Sequence, residues 1–123
     1  MTFSDPFRQD GVEQLAFRIH SRTVDTAVVL HVHGEVDLST SSELEQAVAT
    51  ALAAEPSALV VDLSEVSFLD SAGLGVLAHG HIKGSEHTSF RVVTNPVTVK
   101  PLRLTGLDKV LAVYNSVEAA LNG

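Results

Sequence analysis

The sequence contains no cysteine among its 123 residues, which excludes disulfides, thiolate metal sites and thiol redox chemistry. No apolar run approaches the roughly 20 residues that are needed to span a bilayer. The first residues, MTFSDPFRQDG, lack the basic and apolar regions of a secretory signal. The formal net charge of −7 argues against a surface that binds nucleic acid. These absences lead us to expect a cytoplasmic protein that binds neither nucleic acid nor membrane.

The remaining composition predicts one folded domain. With 45% hydrophobic and 19% charged residues, the chain can bury a core of its own, and its length is that of a single domain. Polar residues dominate residues 1–14, which we expect to be a flexible N-terminal tail. Residues 15–123 are predicted to form the domain, without internal repeats or low-complexity segments.

Strand-like and helix-like patterns alternate along this domain. Period-2 and continuous apolar runs predict strands at 15–21, 26–33, 58–63, 90–94 and 111–115. The first two are predicted to form an antiparallel pair. Apolar residues at helical spacing predict helices at 40–54, 71–83, after Asn95 and at 116–121. The apolar side of the second helix is predicted to consist of Leu74, Leu77, Ala78 and Ile82. The order β-β-α-β-α-β-α-β-α predicts a single α/β domain. We expect a mixed, mostly parallel sheet of about five strands with about four helices mainly on one face.

Local sequence also predicts how three helices begin. Thr40 and Glu43 fit a capping box at the start of the first helix. Pro101 has no backbone N–H to donate, so the third helix is expected to begin late, with Thr98 as its cap and the proline in its first turn. Ser116 is a suitable cap for the last helix.

Two polar segments are expected to meet at one edge of the sheet. GEVDLST at 34–40 follows the second predicted strand, and SEVSFLDS at 64–71 follows the third. The loops after neighbouring parallel strands leave the sheet together at its carboxyl edge. Asp37, Asp70 and Ser71 should therefore share one surface patch.

Ser71 lies where a strand passes into a helix, and four interpretations compete. An esterase nucleophile is excluded, because the G-x-S-x-G elbow requires glycine where Leu69 stands. Gly73, Gly75 and Ala78 match the letters of a nucleotide-binding G-x-G-x-x-A, but the predicted strand ends about ten residues too early for that turn. A helix cap and a phosphate acceptor remain open. Glycine costs about 1 kcal/mol in a helix relative to alanine. The presence of Gly73 and Gly75 therefore suggests close helix packing or the close approach of another molecule.

Three histidines on the first two strands form a further candidate site. His31 and His33 are two residues apart on one strand, and His20 can join them on the same exposed face. Such a pair can bind a metal ion, yet the sequence places no acidic or cysteine ligand with it. Solvated histidines are therefore the favoured interpretation, and neither a metal nor another cofactor is predicted. An enzyme is not expected.

Beyond these local patterns, the sequence resembles a STAS domain, the family of bacterial anti-sigma-factor antagonists and of cytoplasmic domains on sulfate transporters. The resemblance covers roughly residues 15–121. It rests on GEVDLST at 34–40, LVVDLSEVSFLDSAGLGVL at 59–77 and TGLDKVLAVYNSVEAAL at 105–121. The D-S-x-G-L order after an apolar strand is that of the family's regulatory site. Ala72 stands where antagonists often carry a second hydroxyl.

The resemblance implies a partner-switching mechanism. Ser71 would be phosphorylated by an anti-sigma factor that is also a serine kinase, and a metal-dependent serine phosphatase would reset it. The unphosphorylated domain would bind the anti-sigma factor and so release its sigma factor, whereas phosphorylation would abolish binding. The implied contact surface comprises Asp37, Ser39, Thr40, Asp70, Ser71, Ala72, Gly73 and Leu74. The alternative is a non-catalytic scaffold or ligand-sensing STAS module.

Asp37 has two possible roles within this framework. It either caps the first helix, or it contacts the kinase or helps to position the serine. We favour the contact, because Thr40 and Glu43 already supply a capping box and Asp37 lies outside it.

Overall fold

The structure is a computed structural model that describes residues 16–123; the tail expected over residues 1–14 lies outside them. Within this range the strands are β1 (Arg18–Val24), β2 (Ala27–Val36), β3 (Ala58–Leu69), β4 (Ser89–Val93) and β5 (Ala112–Tyr114). The helices are α1 (Ser41–Ala53), α2 (Ser71–Gly84), α3 (Pro96–Thr105) and α4 (Val117–Leu121), with a 3-10 turn at Leu107–Lys109. None of these helices is both long and apolar enough to cross a bilayer.

The strands form one mixed sheet whose spatial order is the order of the chain, β1-β2-β3-β4-β5. β1 pairs antiparallel with β2, and all other neighbours are parallel. The predicted α/β class and element order are thereby confirmed. Val24 pairs with Ala27, so only Asp25 and Thr26 join the first two strands. Asp25 has a φ of 55°, a left-handed conformation that aspartate tolerates better than most residues.

Helices cover the two faces of the sheet unequally. α1, α2 and α3 connect neighbouring parallel strands, and right-handed crossovers place them on the same face. The main core lies beneath them and includes the fully buried side chains of Leu44, Leu59, Leu63, Leu77 and Leu102. α4 packs on the opposite face, where Ala120 joins Val29, Val60 and Val93 in a smaller core. α4 departs from the one-sided arrangement because it follows the last strand and makes no crossover.

β3 continues beyond its predicted end at residue 63 and reaches Leu69. Most of the segment 64–71 is therefore strand and not loop, contrary to the prediction. Its pairing register with β2 shifts between His31 and His33 and again between Gly34 and Glu35. Such β-bulges insert an extra residue, which breaks the period-2 pattern by which a strand is recognised.

α3 begins at Pro96 and runs unbroken to Thr105, so the predicted late start with Thr98 as cap is wrong. Asn95 is the cap: its side-chain oxygen accepts hydrogen bonds from two N–H groups of the first turn, at 2.8 and 2.9 Å. In return, the hydroxyl of Thr98 accepts from the N–H of Asn95 at 2.9 Å. Pro101 lies inside the helix and removes one backbone hydrogen bond, a loss that this reciprocal cap helps to offset.

α2 follows its prediction closely, except that Ile82 is 68% exposed. The inward positions in the second half of this helix belong to Gly80 and Gly84, which are buried. A Cβ at Gly80 would lie 2.8 Å from Cε1 of Phe90. Glycine therefore allows the helix to approach the sheet, and Ile82 is left on the outer side.

Candidate functional site

The ends of β2 and β3 bring the two predicted polar segments together at the carboxyl edge of the sheet. Val36 pairs with Leu69 at the end of the register. The N–H of Asp70 then donates to the carbonyl oxygen of Val36 at 3.1 Å. Asp37 and Ser71 follow directly from this junction, as expected, although the connections are shorter than predicted.

Asp70, and not Ser71, caps α2. Its Oδ1 accepts hydrogen bonds from the N–H groups of Ala72 at 2.9 Å and Gly73 at 3.3 Å. The side chain thus occupies the position at a helix N-terminus where a negative group is stabilised. The interpretation of Ser71 as the helix cap is therefore wrong, because its neighbour fills that role.

Ser71 is the first residue of α2, and its side chain is exposed. Its hydroxyl has no hydrogen-bond partner within residues 16–123, whereas Oδ1 of the preceding Asp70 caps the helix. A nucleophilic serine requires a base within hydrogen-bond reach, and none of the described residues supplies one. The geometry suits a hydroxyl that another protein modifies.

Asp37 organises the turn before α1. Its Oδ1 accepts from the N–H of Ser39 at 2.9 Å, from the hydroxyl of Ser39 at 2.7 Å and from the N–H of Thr40 at 3.2 Å. The hydroxyl of Thr40 accepts from the N–H of Asp37 at 2.9 Å and donates to the carbonyl of Glu35 at 2.8 Å. The predicted capping box of Thr40 with Glu43 is wrong, because this hydroxyl is committed to the turn and makes no cap bond to the helix.

These hydrogen bonds lower the pKa of the Asp37 carboxyl from its ordinary value of 3.8. The hydroxyl of Ser39 is the largest cause; burial acts in the opposite direction, and the N–H groups of Ser39 and Thr40 add to the lowering. Hydrogen bonds to a carboxylate favour its charged form, so Asp37 is ionised at neutral pH. Asp37 was interpreted as a contact residue because a capping box of Thr40 with Glu43 was expected to begin the helix without it. That capping box does not form, and the carboxylate of Asp37 shapes the turn, so this reason no longer holds.

Gly73 and Gly75 have different surroundings. A Cβ at Gly73 would lie 2.5 Å from Cδ1 of Leu69 and 2.7 Å from Cγ1 of Val36, so the helix packs tightly on the strand ends there. A Cβ at Gly75 would meet no atom of the described residues within 4 Å. Gly75 therefore leaves a flat surface one helical turn after Ser71. Both glycines lie inside α2 and not in a turn, which excludes the nucleotide-binding motif even though β3 ends later than predicted.

Two exposed apolar side chains near this patch were missed by the sequence analysis. Leu38 is 82% exposed in the Asp37 turn, and Phe68 is 46% exposed two residues before Asp70. Large exposed apolar side chains beside a polar group are typical of protein-binding surfaces. Leu38 could have been recognised as an apolar residue within a polar turn. Phe68 could not, because the register shifts of β3 hide the side of the strand on which it lies.

The other predicted contact residues divide into accessible and buried ones. Ser39 is exposed, and Thr40 and Ala72 are half-buried. Leu74 is only 8% exposed and belongs to the main core, and Gly73 is buried as well. A partner can therefore reach Asp37, Ser39, Thr40, Asp70, Ser71 and Ala72, whereas Gly73 and Leu74 support the patch from inside.

His31 is held in a hydrogen-bond network and is not simply solvated, contrary to expectation. Its Nδ1 lies 2.7 Å from Oδ2 of Asp62, and its Nε2 accepts from Nε of Arg22 at 3.3 Å. The parallel register sets buried Asp62 beside His31, so an acidic residue does accompany the histidines. His20 lies opposite His31. Across residues 16–123, no three potential ligands of the His, Cys, Asp and Glu types are grouped to hold a metal ion.

The sequence is similar to a protein-family profile and to proteins of known function. The profile of a family described as "Mlab, STAS domain" matches residues 19–113. The chain is 43% identical over 96 residues to the anti-sigma-F factor antagonist RsfB of Mycobacterium tuberculosis (strain H37Rv), covering 77% of this chain and 79% of that protein. It is 31% identical over 112 residues to the anti-sigma-B factor antagonist of Listeria monocytogenes, covering 89% of this chain and 96% of that protein.

The fold comparison agrees with the sequence comparison. The crystal structure of an anti-sigma factor antagonist from Mycobacterium paratuberculosis is 41% identical and superposes with a TM-score of 0.83. The superposition covers 87% of this chain and 92% of that one. The chain therefore belongs to the STAS-domain family of anti-sigma-factor antagonists.

Proposed function

We propose that this protein is an anti-sigma-factor antagonist whose binding is switched by phosphorylation of Ser71. The unphosphorylated carboxyl edge of the sheet binds a cytoplasmic anti-sigma factor, which then releases its sigma factor. The anti-sigma factor is also the serine kinase that modifies Ser71, and a metal-dependent serine phosphatase restores the binding state. The antagonist itself catalyses no reaction. The observation that carries this proposal is the exposed hydroxyl of Ser71, which has no hydrogen-bond partner among residues 16–123.

Hydrogen bonding distinguishes Ser71 from the other hydroxyls of the patch. The hydroxyl of Ser39 donates to Asp37 at 2.7 Å, and that of Thr40 donates to the carbonyl of Glu35 at 2.8 Å. Phosphorylating either one would break the turn that holds it. Ser71 can accept a phosphoryl group without losing any hydrogen bond within the described residues.

The local charges explain how a phosphate prevents binding without a change of fold. Phosphorylation adds about −1.5 to −2 charges at a position adjacent to Asp70. The carboxylate of Asp70 already uses the N–H groups of Ala72 and Gly73, so they are not free to neutralise the phosphate. In an interface that excludes water, the added charge meets both a desolvation penalty and repulsion by the neighbouring acidic groups.

Leu38 and Gly75 give this surface its shape. Leu38 projects from the Asp37 turn as an exposed apolar side chain, and we assign it the role of an anchor in a partner pocket. Gly75 follows Ser71 by one turn and leaves space above α2. A partner that covers Ser71 can therefore approach the helix backbone closely.

The test combines a phosphorylation assay with a binding titration on the full chain. The probe is a purified anti-sigma-factor serine kinase of the source organism, with ATP for the first assay and without it for the second. We expect Ser71→Ala to bind like the parent protein and to accept no phosphate, and Ser71→Asp to bind more weakly. Ser42→Ala is the matched control, because Ser42 is also an exposed serine in the first turn of a helix.

Two results would contradict this proposal. Phosphate uptake by Ser71→Ala equal to that of the parent protein would assign the acceptor to another residue. Kinase binding that is unaffected by both Ser71→Asp and stoichiometric phosphorylation would show that charge is not the switch, as expected for a scaffold module. Leu38→Ser should weaken binding without altering the thermal unfolding temperature, which separates the apolar anchor from the switch.

A further inference from the structure

β1 is an edge strand, and its only neighbour among residues 16–123 is β2. Alternate residues of an edge strand direct their N–H and C=O groups away from the sheet, where another strand can pair with them. β1 has seven residues, Arg18–Val24, and most of them are exposed. A segment of similar length can therefore extend the sheet at this edge.

The helix side of β1 borders a mainly apolar groove, whose lining also includes the exposed Glu43 of α1. The groove has a volume of about 510 Å³ and lies between the first two strands and α1. Ile19, Val28 and Leu30 form its strand wall, and Ala47 and Ala51 form its helix wall. The short alanine side chains leave room beside Ile19 for aliphatic groups from a neighbouring strand.

The other side of β1 carries a row of basic side chains. Arg18, His20 and Arg22 alternate with the groove-side residues, and all three are exposed. Arg18 pairs in register with His33, and His20 with His31. Basic residues directly opposite one another are unfavourable in an antiparallel pair when both are charged. Arg22 donates to Nε2 of His31, whose Nδ1 faces Asp62, but neither Arg18 nor Arg22 lies within ion-pair distance of a carboxylate of residues 16–123. On a chain with a net charge of −7, these two guanidinium groups favour an acidic partner.

We propose that β1 binds an extended segment of a partner protein that alternates acidic and aliphatic residues. The segment adds a strand beside β1, with its aliphatic side chains in the groove and its acidic side chains over Arg18, His20 and Arg22. Main-chain hydrogen bonds supply affinity, and the two sides of the strand supply specificity, as in other cases of strand addition. This surface is separate from the Ser71 patch and does not depend on its proposed function.

A second copy of the chain is a poor occupant of this edge. Two β1 strands paired antiparallel would bring Arg18 of one copy towards Arg22 of the other, with His20 between them. Charged side chains on an edge strand oppose such self-association. The same charges favour an acidic strand.

The experiment uses the isotope-labelled full chain and three synthetic peptides of the length of β1. One alternates glutamate with valine or isoleucine, the second has lysine in place of glutamate, and the third has serine in place of the aliphatic residues. We expect only the first to bind well, with NMR shift changes and slowed amide exchange at alternate residues of Arg18–Val24. Raising the salt concentration should weaken this binding.

Two variants test the two sides of the edge independently. Reversing both charges, Arg18→Glu with Arg22→Glu, should weaken binding of the glutamate peptide about tenfold. The control with the same change of net charge, Lys100→Glu with Arg103→Glu on α3, should bind like the parent protein. Ala47→Leu should fill the groove and weaken binding while every charge is kept.

Several outcomes would overturn this inference. One is the absence of a saturable shift at roughly 1 mM glutamate peptide, the range of very weak specific binding. A second is equal binding of the glutamate and lysine peptides, and a third is a set of shifts confined to α3 or to the Ser71 patch. Circular dichroism of each variant ensures that a loss of binding does not reflect a loss of fold.

Discussion

Replacing each of two glycines of α2 by alanine should change stability in opposite directions. Gly75 and Gly73 lie in the same helix, two residues apart, and have the same intrinsic preference. Alanine is favoured over glycine in a helix by about 1 kcal/mol. A Cβ at Gly75 would touch no atom of the described residues within 4 Å, so Gly75→Ala should gain this full amount. The unfolding temperature should then rise by about 4 °C for a domain of this size.

The same substitution at Gly73 adds a methyl group to a filled space. The new Cβ would lie 2.5 Å from Cδ1 of Leu69 and 2.7 Å from Cγ1 of Val36. Both side chains are buried, and a valine is restricted about its first torsion, so neither can move aside freely. Overpacking of this kind costs about 1–3 kcal/mol, which exceeds the propensity gain. We expect Gly73→Ala to be less stable than the parent protein by about 1 kcal/mol.

Urea unfolding and binding of the anti-sigma-factor kinase should be measured on the same two variants. If a partner packs against the flat surface beside Ser71, Gly75→Ala will be more stable and yet bind more weakly. A Gly75→Ala variant that is less stable than the parent, or a Gly73→Ala variant that is more stable, would refute the packing argument. A more stable Gly75→Ala that binds as tightly as the parent would remove Gly75 from the interface.

Further predictions concern substitutions at four residues. Asp70→Ala should lower the free energy of unfolding by about 1 kcal/mol through loss of the α2 cap, as measured by urea titration. Because the pKa of Asp37 is lowered on folding, its contribution is complete above its unfolded value of 3.8 and is lost as the pH falls through the lower folded value. The protection of the amides in the Asp37 turn, relative to the intrinsic exchange rate at each pH, should therefore fall only below about pH 4, and Asp37→Asn should abolish that step. Asp62→Ala leaves the Nδ1 of His31 without its partner and should cost about 1–3 kcal/mol in thermal melts, whereas Asp62→Asn should cost less. Pro101→Ala restores a helical N–H and should raise the free energy of unfolding by about 2 kcal/mol, and no gain would show that the helix already accommodates the ring.

Periodic sequence patterns were sufficient to predict the element order, the sheet and the position of Ser71 relative to Asp37. These features depend on short-range apolar spacing and on the rule that loops after parallel strands share an edge. Leu74 and Leu77, for example, were predicted on the inner side of α2 and are buried there.

Features that depend on pairing between distant residues were not predictable in this way. The bulges in the pairing of β2 and β3 extend β3 through the polar segment before Asp70, and neither strand alone encodes that register. The competing hydrogen bonds of Thr40 decide against the capping box, because Glu35 and Asp37 capture its hydroxyl first. Asp62 meets His31 only across the sheet, so a scan along the sequence finds no acidic partner.

The packing of α4 also affects the order in which the molecule can be completed during synthesis. Val29, Val60 and Val93 are fully buried, and Ala120 of α4 joins them on the face opposite the other helices. Because α4 follows all the strands in the chain, the ribosome has already produced the valines when this helix emerges. A nascent chain that ends before α4 therefore exposes an aliphatic surface. Chaperone binding to arrested chains should fall once residues 117–121 have left the ribosome.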